Sequence, residues 1–531
     1  MIASHSKPTF QQRRCRGAGA TTPRFVAVAL AGIVLAALGC VQSLAEALTD
    51  GYTVQLDELG RIVGSGLSVA PGEVIGFALR SSSAAPLQLA ITDAEGKRLH
   101  EFAAVRIGPP AAAGTEPWRT GAGYAVAASW RLPDTLPSGI YGLAYRPDMH
   151  FIVRESNPAK SRIRILLPTN TLNAYSITDG RSLYRLPTQV PEVSFLRPLT
   201  NPMTADWSTF AAWAGRPGTF GEPVGILADS DMEDAHALTG AKVLIVYGHS
   251  EYWTRAARLR FDTFIAGGGS VILAGGNDLW WQARLSADGT RMTAYKADAL
   301  KSDPALGDPE PDPLLKTAAW SSKQLRLPIL PSIGADFQHG GYGNRGHLTG
   351  IRQDGFVVSN GAHPLLAGTG LSDCTLITEA GSGEYDGTPI LGLDVAGRPV
   401  PDLAAIGAAR LQILAYRWVF RGGLNIAAMH VMQRMEGTGY VVHLSSALCC
   451  GSDVFADASQ SPIPSVIKTA ARTFLTGASP FAGDDGHGPL AFPMHTPWKQ
   501  PLPAVPPGPC APWGGNGVTA GTPPSHAFAP E

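Results

Sequence analysis

The sequence has no excess of charge of either sign. Its 42 Lys and Arg stand against 43 Asp and Glu, a formal net charge of -1 over 531 residues. Without a basic field there is nothing to gather a phosphate backbone, which argues against a nucleic-acid partner and favours small or neutral ligands. Charged residues are scarce, at 16% against 44% hydrophobic, a balance that excludes wholesale disorder and leaves ample material for two or three cores. Cysteine is sparse too: the six present form no C-x-x-C pair, so a cysteine-ligated zinc module is not expected. The vicinal Cys449-Cys450 is too weak a signal for a redox role, and pairing among the cysteines cannot be deduced from spacing. No repeat of solenoid period is visible. Long apolar runs are limited to one, Phe25 to Val41.

That run follows Arg13, Arg14, Arg16 and Arg24, and Ala45-Glu46-Ala47 supplies the small residues of a cleavage site. Residues 1–47 therefore read as an export segment, with a periplasmic or secreted location expected. The Ala37-Leu38-Gly39-Cys40 stretch lacks a leucine three residues before the cysteine and so makes a poor lipobox; lipidation at Cys40, like retention of an uncleaved anchor, is the alternative route to a membrane.

Residues 48–158 show short β-type runs broken by turns, such as Val74–Leu79, Pro86–Thr92, Gly139–Ala144 and Phe151–Arg154, and read as a β-sandwich accessory domain. From 159 to 478 the texture changes to apolar strands followed by helical stretches. Ile163–Leu167, Val243–Tyr247 and Val271–Ala274 are the clearest strands, with a helix over Arg255–Ile265 ended by Gly267-Gly268-Gly269. This predicts an α/β domain with a mostly parallel sheet flanked by helices. Further strands are expected at Gln412–Tyr416 and Gly439–Leu444, and a helix over Ser465–Leu475. Residues 479–531, built around Pro501–Pro509, read as a Pro/Gly-rich disordered tail.

In such sheets ligands gather at the carboxyl ends of the strands, which directs attention to the residues after Tyr247 and Ala274. Gly248–Trp253 (GHSEYW) places His249 and Glu251 two residues apart on a strand-to-helix turn, a pairing suited to a metal ligand and a proton-handling neighbour. The residues alone equally allow Glu251 to cap the helix and His249 to bond a loop. The Gly275-Gly276-Asn277 loop brings an amide to the same edge.

Taken in order, Leu166–Tyr175 (LLPTNTLNAY), Gly180–Tyr184 (GRSLY), Val193–Pro198 (VSFLRP), Gly248–Trp253, the Gly268-Gly269 break and Ala274–Asn277 (AGGN) resemble the large subunit of the N,N-dimethylformamidase family, from about Ser161 to Leu475. The resemblance implies a fold similar to class I glutamine amidotransferase-like domains, a ferric ion (Fe3+) held by two tyrosines and a glutamate, and hydrolysis of a C–N bond in a small amide. Carried onto this chain, the metal ligands are Tyr175, Tyr184 and Glu251, with Tyr247 or Tyr252 as alternative holders of one tyrosine position. Glu384, in Gly381–Asp386 (GSGEYD), resembles the family's second acidic position and takes the role of general base, with an ordinary turn carboxylate as its alternative. His249 and Asn277 complete the catalytic set.

Phenolate and carboxylate are hard oxygen donors suited to a hard trivalent ion. The chain departs from the family pattern at Val442–Asp453 (VHLSSALCCGSD), which puts the substrate pocket in question. The resemblance also implies a small partner subunit, with a homo-oligomer as alternative. Two competing readings remain: a hydrolase using another metal, and a non-enzymatic exported binding or scaffold protein with a carbohydrate-binding-like sandwich.

Overall fold

The structure is a computed structural model that describes residues 48–494, apart from 110–113, 145, 147–148, 158, 178–179, 185–188, 200–202, 306–311, 344–354, 379–382, 448 and 484–486. The expected export segment at 1–47 and the Pro501–Pro509 stretch lie outside the described residues. Among the described residues no helix is long and apolar enough to cross a membrane.

Between Leu48 and Val153 the chain forms a four-stranded and a five-stranded sheet that share one core. Alternate residues of Val74–Ser81 point inward, and Phe77 meets Phe102 and Phe151 edge to face, with ring centroids 5.9 and 6.1 Å away. This unit is tied to the rest of the chain by polar contacts: the Ser68 hydroxyl donates to Asp231, and the Ile226 N–H donates to the Ser138 hydroxyl.

The second unit is organised by an 11-stranded sheet. Five neighbouring strands run parallel: Val224–Ala228, Ile163–Leu167, Val243–Tyr247, Ser270–Ala274 and Tyr440–His443. Their side chains divide between two cores, with Val243, Ile245 and Tyr247 on one face and Leu244 and Val246 on the other. Burial on both faces is why these strands are continuously apolar. Between the third and fourth lies the helix Arg255–Ala266, whose Thr254 hydroxyl accepts the Ala257 N–H.

The expectation of a mostly parallel sheet of the amidotransferase-like type is overturned, because the parallel run ends at Tyr440–His443. There the sheet continues through Leu424–Arg434, Glu384–Gly387, Asp336–Tyr342, Ala408–Phe420, Gly355–Val358 and Leu376–Thr378, and every ladder is antiparallel. Among the described residues strand outweighs helix, at 37% to 20%, so helices do not flank the sheet throughout.

The physical reason is the connection Arg421-Gly422-Gly423. Only three residues join a 13-residue strand to an 11-residue one, and so short a link permits an antiparallel hairpin but not a parallel crossover. Leu424–Met432 is buried throughout, so its sequence has the uninterrupted apolar character of a parallel strand. Within the stretch read as a tail, Leu490–Pro493 pairs antiparallel with Ile390–Asp394.

Candidate active site

Loops from the carboxyl ends of the parallel strands meet at one edge of the sheet. After Val243–Tyr247 the chain turns at Gly248, which takes φ 86° and donates its N–H to the Ala274 carbonyl at 2.9 Å. The facing loop must be glycine: a Cβ on Gly275 would stand 2.1 Å from the Gly248 oxygen, and one on Gly276 2.5 Å from the Ala447 nitrogen. Asn277, Leu279 and Ser445 hold φ of 52°, 55° and 59° in the same loops. Left-handed backbone is tolerated by asparagine but costs leucine and serine, and such strain gathers where surrounding structure fixes a functional geometry.

Tyr175 arrives at the end of the short helix Thr169–Tyr175, which follows the Ile163–Leu167 strand. The helix is fixed to the Glu251 loop, since the Thr171 hydroxyl accepts the Glu251 N–H at 2.9 Å and the Asn170 amide donates to the Tyr252 carbonyl at 3.2 Å. Buried Arg197 donates to the carbonyls of Asn173, Ser176 and Ser194 at 2.7 to 2.9 Å, satisfying groups at the helix end.

The structure brings all six sequence-identified residues together. The Tyr175 hydroxyl donates to Glu251 Oε2 at 2.8 Å and lies 3.1 Å from His249 Nε2. His249 donates Nδ1–H to the Gly276 carbonyl at 2.8 Å, which leaves Nε2 3.5 Å from Glu251 Oε2 and 3.5 Å from Glu384 Oε2. Asn277 donates Nδ2–H to Glu384 Oε2 at 2.9 Å. The half-exposed Tyr184 ring stacks on that of Tyr175 with centroids 4.6 Å apart, beneath Lys296 Nζ at 5.2 Å. Of the alternative tyrosines, Tyr247 donates its hydroxyl to the Cys450 carbonyl, whereas the fully buried Tyr252 hydroxyl has no hydrogen-bond partner among the described residues.

The charges are strongly coupled. Burial pulls the His249 imidazole down, but the bond and charge of Glu251, joined by Glu384, overcome it and push it up to about 10. Burial raises Glu251, yet the facing His249 outweighs it and holds the carboxyl below its ordinary range. Glu384 is raised by burial, with the charge of Glu251 adding to it. The Tyr175 and Tyr252 phenols are held well above their ordinary value, first by burial and then by the two glutamates. These directions follow from the protein groups alone, the imidazole supplying the positive charge that faces the two carboxylates. A multivalent cation held by the same oxygens would invert that logic, favouring a neutral imidazole and ionised phenols. Tyr175 and Glu251 fit such an ion by donor chemistry and by convergence on one point.

A second group beside this one escaped sequence reasoning. Asp278, Asp386 and His443 are fully buried, with ligand-capable atoms within 4.8 Å of one another, an arrangement compatible with a metal ion. Its signal was present but faint: Asp278 follows Asn277, and Asp386 stands two residues after Glu384 on a strand, where i and i+2 share a face.

A cavity of about 280 Å³ is lined by Trp207, Tyr247, His249, Met429 and the disulfide-joined pair Cys449 and Cys450. Its size suits a small molecule rather than a polymer. Part of its wall is the Val442–Asp453 segment.

No curated protein matches the chain. The family profile described as N,N-dimethylformamidase beta subunit-like, C-terminal, matches residues 95–460. That match spans well over half of the 531 residues, so the chain belongs to the N,N-dimethylformamidase beta subunit-like family.

Proposed function

We propose that this chain hydrolyses the C–N bond of a small amide at a mononuclear metal centre, ferric by family resemblance, held by Tyr175, Tyr184 and Glu251. One observation carries the reading: the Tyr175 hydroxyl, the Glu251 and Glu384 carboxylates and the His249 imidazole converge within 2.8 to 3.5 Å of their neighbours. When bound, the ion supplies Lewis acidity that polarises the amide carbonyl and acidifies water.

The protein does the proton handling. Glu384, whose carboxyl is held above its ordinary value by burial, takes a proton from the attacking water and passes it to the departing amine. Asn277 keeps Glu384 oriented and has a buried side-chain oxygen without a partner, available to a substrate N–H or to water. His249, fixed by the Gly276 carbonyl, orients Glu251 and the water.

Tyr252 competes with Tyr184 for the second tyrosine position because its buried hydroxyl lacks a partner, and a phenolate ligand needs none. The beta subunit description of the family supports a working form with a second, smaller chain or with further copies of this one. The apolar run Phe25–Val41 supports export, with membrane contact only through that segment.

The test is metal content and visible absorption of the purified chain, followed by turnover of small N-alkyl formamides. Iron with a phenolate charge-transfer band supports the centre, and loss of that band in Tyr184→Phe or in Tyr252→Phe assigns the second tyrosine. A chain that takes up no metal on reconstitution and hydrolyses no amide sinks the reading.

A further inference from the structure

Asp278, Asp386 and His443 come from three different segments, and their side chains are all fully buried. His443 Nε2 faces both carboxylates, 3.3 Å from Asp278 Oδ2 and 3.3 Å from Asp386 Oδ2. Among the described residues neither ring nitrogen of His443 makes a hydrogen bond of good geometry, and Asp278 Oδ2 and Asp386 Oδ1 accept none. The remaining oxygens are used: Asp278 Oδ1 accepts the Ser250 N–H at 3.2 Å, and Asp386 Oδ2 accepts the Asp278 N–H at 3.0 Å. Among the described residues no lysine or arginine pairs with either carboxylate.

A protonated imidazole between the two aspartates explains this poorly. One N–H shared between two oxygens makes only a weak three-centre contact, and charge-assisted N–H···O bonds run at about 2.7–2.9 Å rather than the 3.3 Å found to each. It would also bring one positive charge to two buried carboxylates, leaving one uncompensated. A divalent cation answers both objections: it balances the two carboxylates, and its ligands sit apart rather than in hydrogen-bond contact. Around zinc, with ligands at about 2.0–2.2 Å in a tetrahedron, neighbouring donor atoms lie about 3.3–3.5 Å apart.

We infer that Asp278, Asp386 and His443 bind a divalent cation of the zinc class, separate from the centre at Tyr175 and Glu251. The ion joins the loops that carry the catalytic side chains. Asp278 is bonded to the backbone next to His249 and Glu251 and adjoins Asn277, Asp386 lies two residues beyond Glu384, and the Asp386 N–H donates to Ser445 just past His443. Full burial means that the ion enters as the chain folds and stays.

The experiment uses the full chain carrying Glu251→Gln, expressed in zinc-supplemented medium, with zinc content measured together with zinc K-edge X-ray absorption. About one zinc per chain, with one imidazole and otherwise only oxygen in its shell, is the expected result. No zinc, or zinc bound through sulfur or through two or more imidazoles, overturns the site. Introducing Asp386→Asn into the same chain lowers zinc at least about tenfold, and unchanged zinc there also overturns it. Iron content of the wild type and of the Glu251 variant reads the catalytic centre independently, so failure of one assignment is not mistaken for failure of the other.

Discussion

In the parallel half of the central sheet, strands end in loops that deliver Tyr175, His249, Glu251 and Asn277 to one edge. In the antiparallel half, a single short strand, Glu384–Gly387, delivers Glu384 from across the sheet. The first half carries the candidate metal donors Tyr175 and Glu251, and the second supplies Glu384, the carboxylate proposed to move protons. On that proposal binding and turnover belong to different halves and should fail separately.

The largest effect is expected from Glu251→Ala. Removing a charged oxygen donor from the parallel half abolishes metal binding, and with it at least about a thousandfold of activity, read by metal analysis and kcat/KM. Retained metal in that variant breaks the division of roles. Glu384→Gln is expected to keep the metal and its absorption while kcat falls about 10²- to 10⁴-fold.

A finer comparison uses two glycines at close backbone approaches, one in each half. A Cβ on Gly275 would meet the Gly248 oxygen at 2.1 Å, and one on Gly387 the His339 oxygen at 1.8 Å. Each alanine variant should lose about 1–3 kcal/mol in denaturant titration. Gly275→Ala should lower metal occupancy because it moves the His249 loop, whereas Gly387→Ala should lower kcat with metal retained. If both variants lose metal equally, the halves act as one body.

The smallest effect lies outside both halves. Asp303 accepts bonds from Arg284, the Thr317 hydroxyl and N–H, and the Ala305 N–H; burial opposes its charge, but these bonds hold it at about 2. A depressed folded-state value stabilises the fold above the unfolded pKa of 3.8, and that contribution is lost as pH falls through about 2. Asp303→Asn should thus cost about 1–2 kcal/mol at pH 7, with the difference from wild type shrinking between pH 4 and pH 2 and metal content unchanged.

The parallel half was the more legible because its chemistry follows apolar strands directly, as Gly248–Trp253 follows Val243–Tyr247. Glu384 was found only by its resemblance to a family position, since a carboxylate in a Gly-Ser-Gly setting looks like any solvated turn. The antiparallel course of the sheet was hidden because Leu424–Met432 is buried on both sides and carries the composition of a parallel strand, while the direction of pairing is set by three residues at Arg421–Gly423. Asp278, Asp386 and His443 stood beside residues already singled out, but nothing local distinguishes a buried carboxylate from an exposed one. Their meaning arises from pairing across segments up to 165 positions apart, from 278 to 443.

The hydrogen bond from Asn277 to Glu384 joins residues separated by 107 positions, and Ser446 just past the last parallel strand closes onto Gly275. Contacts of such separation form late, after local hairpins and helices are in place. A nascent chain released before Tyr440–His443 is laid down would own every candidate donor of the Tyr175 and Glu251 centre and still lack the strand between its halves. If the centre holds a ferric ion as proposed, its colour would serve as an audit of synthesis, appearing only in molecules whose Tyr440–His443 strand has docked.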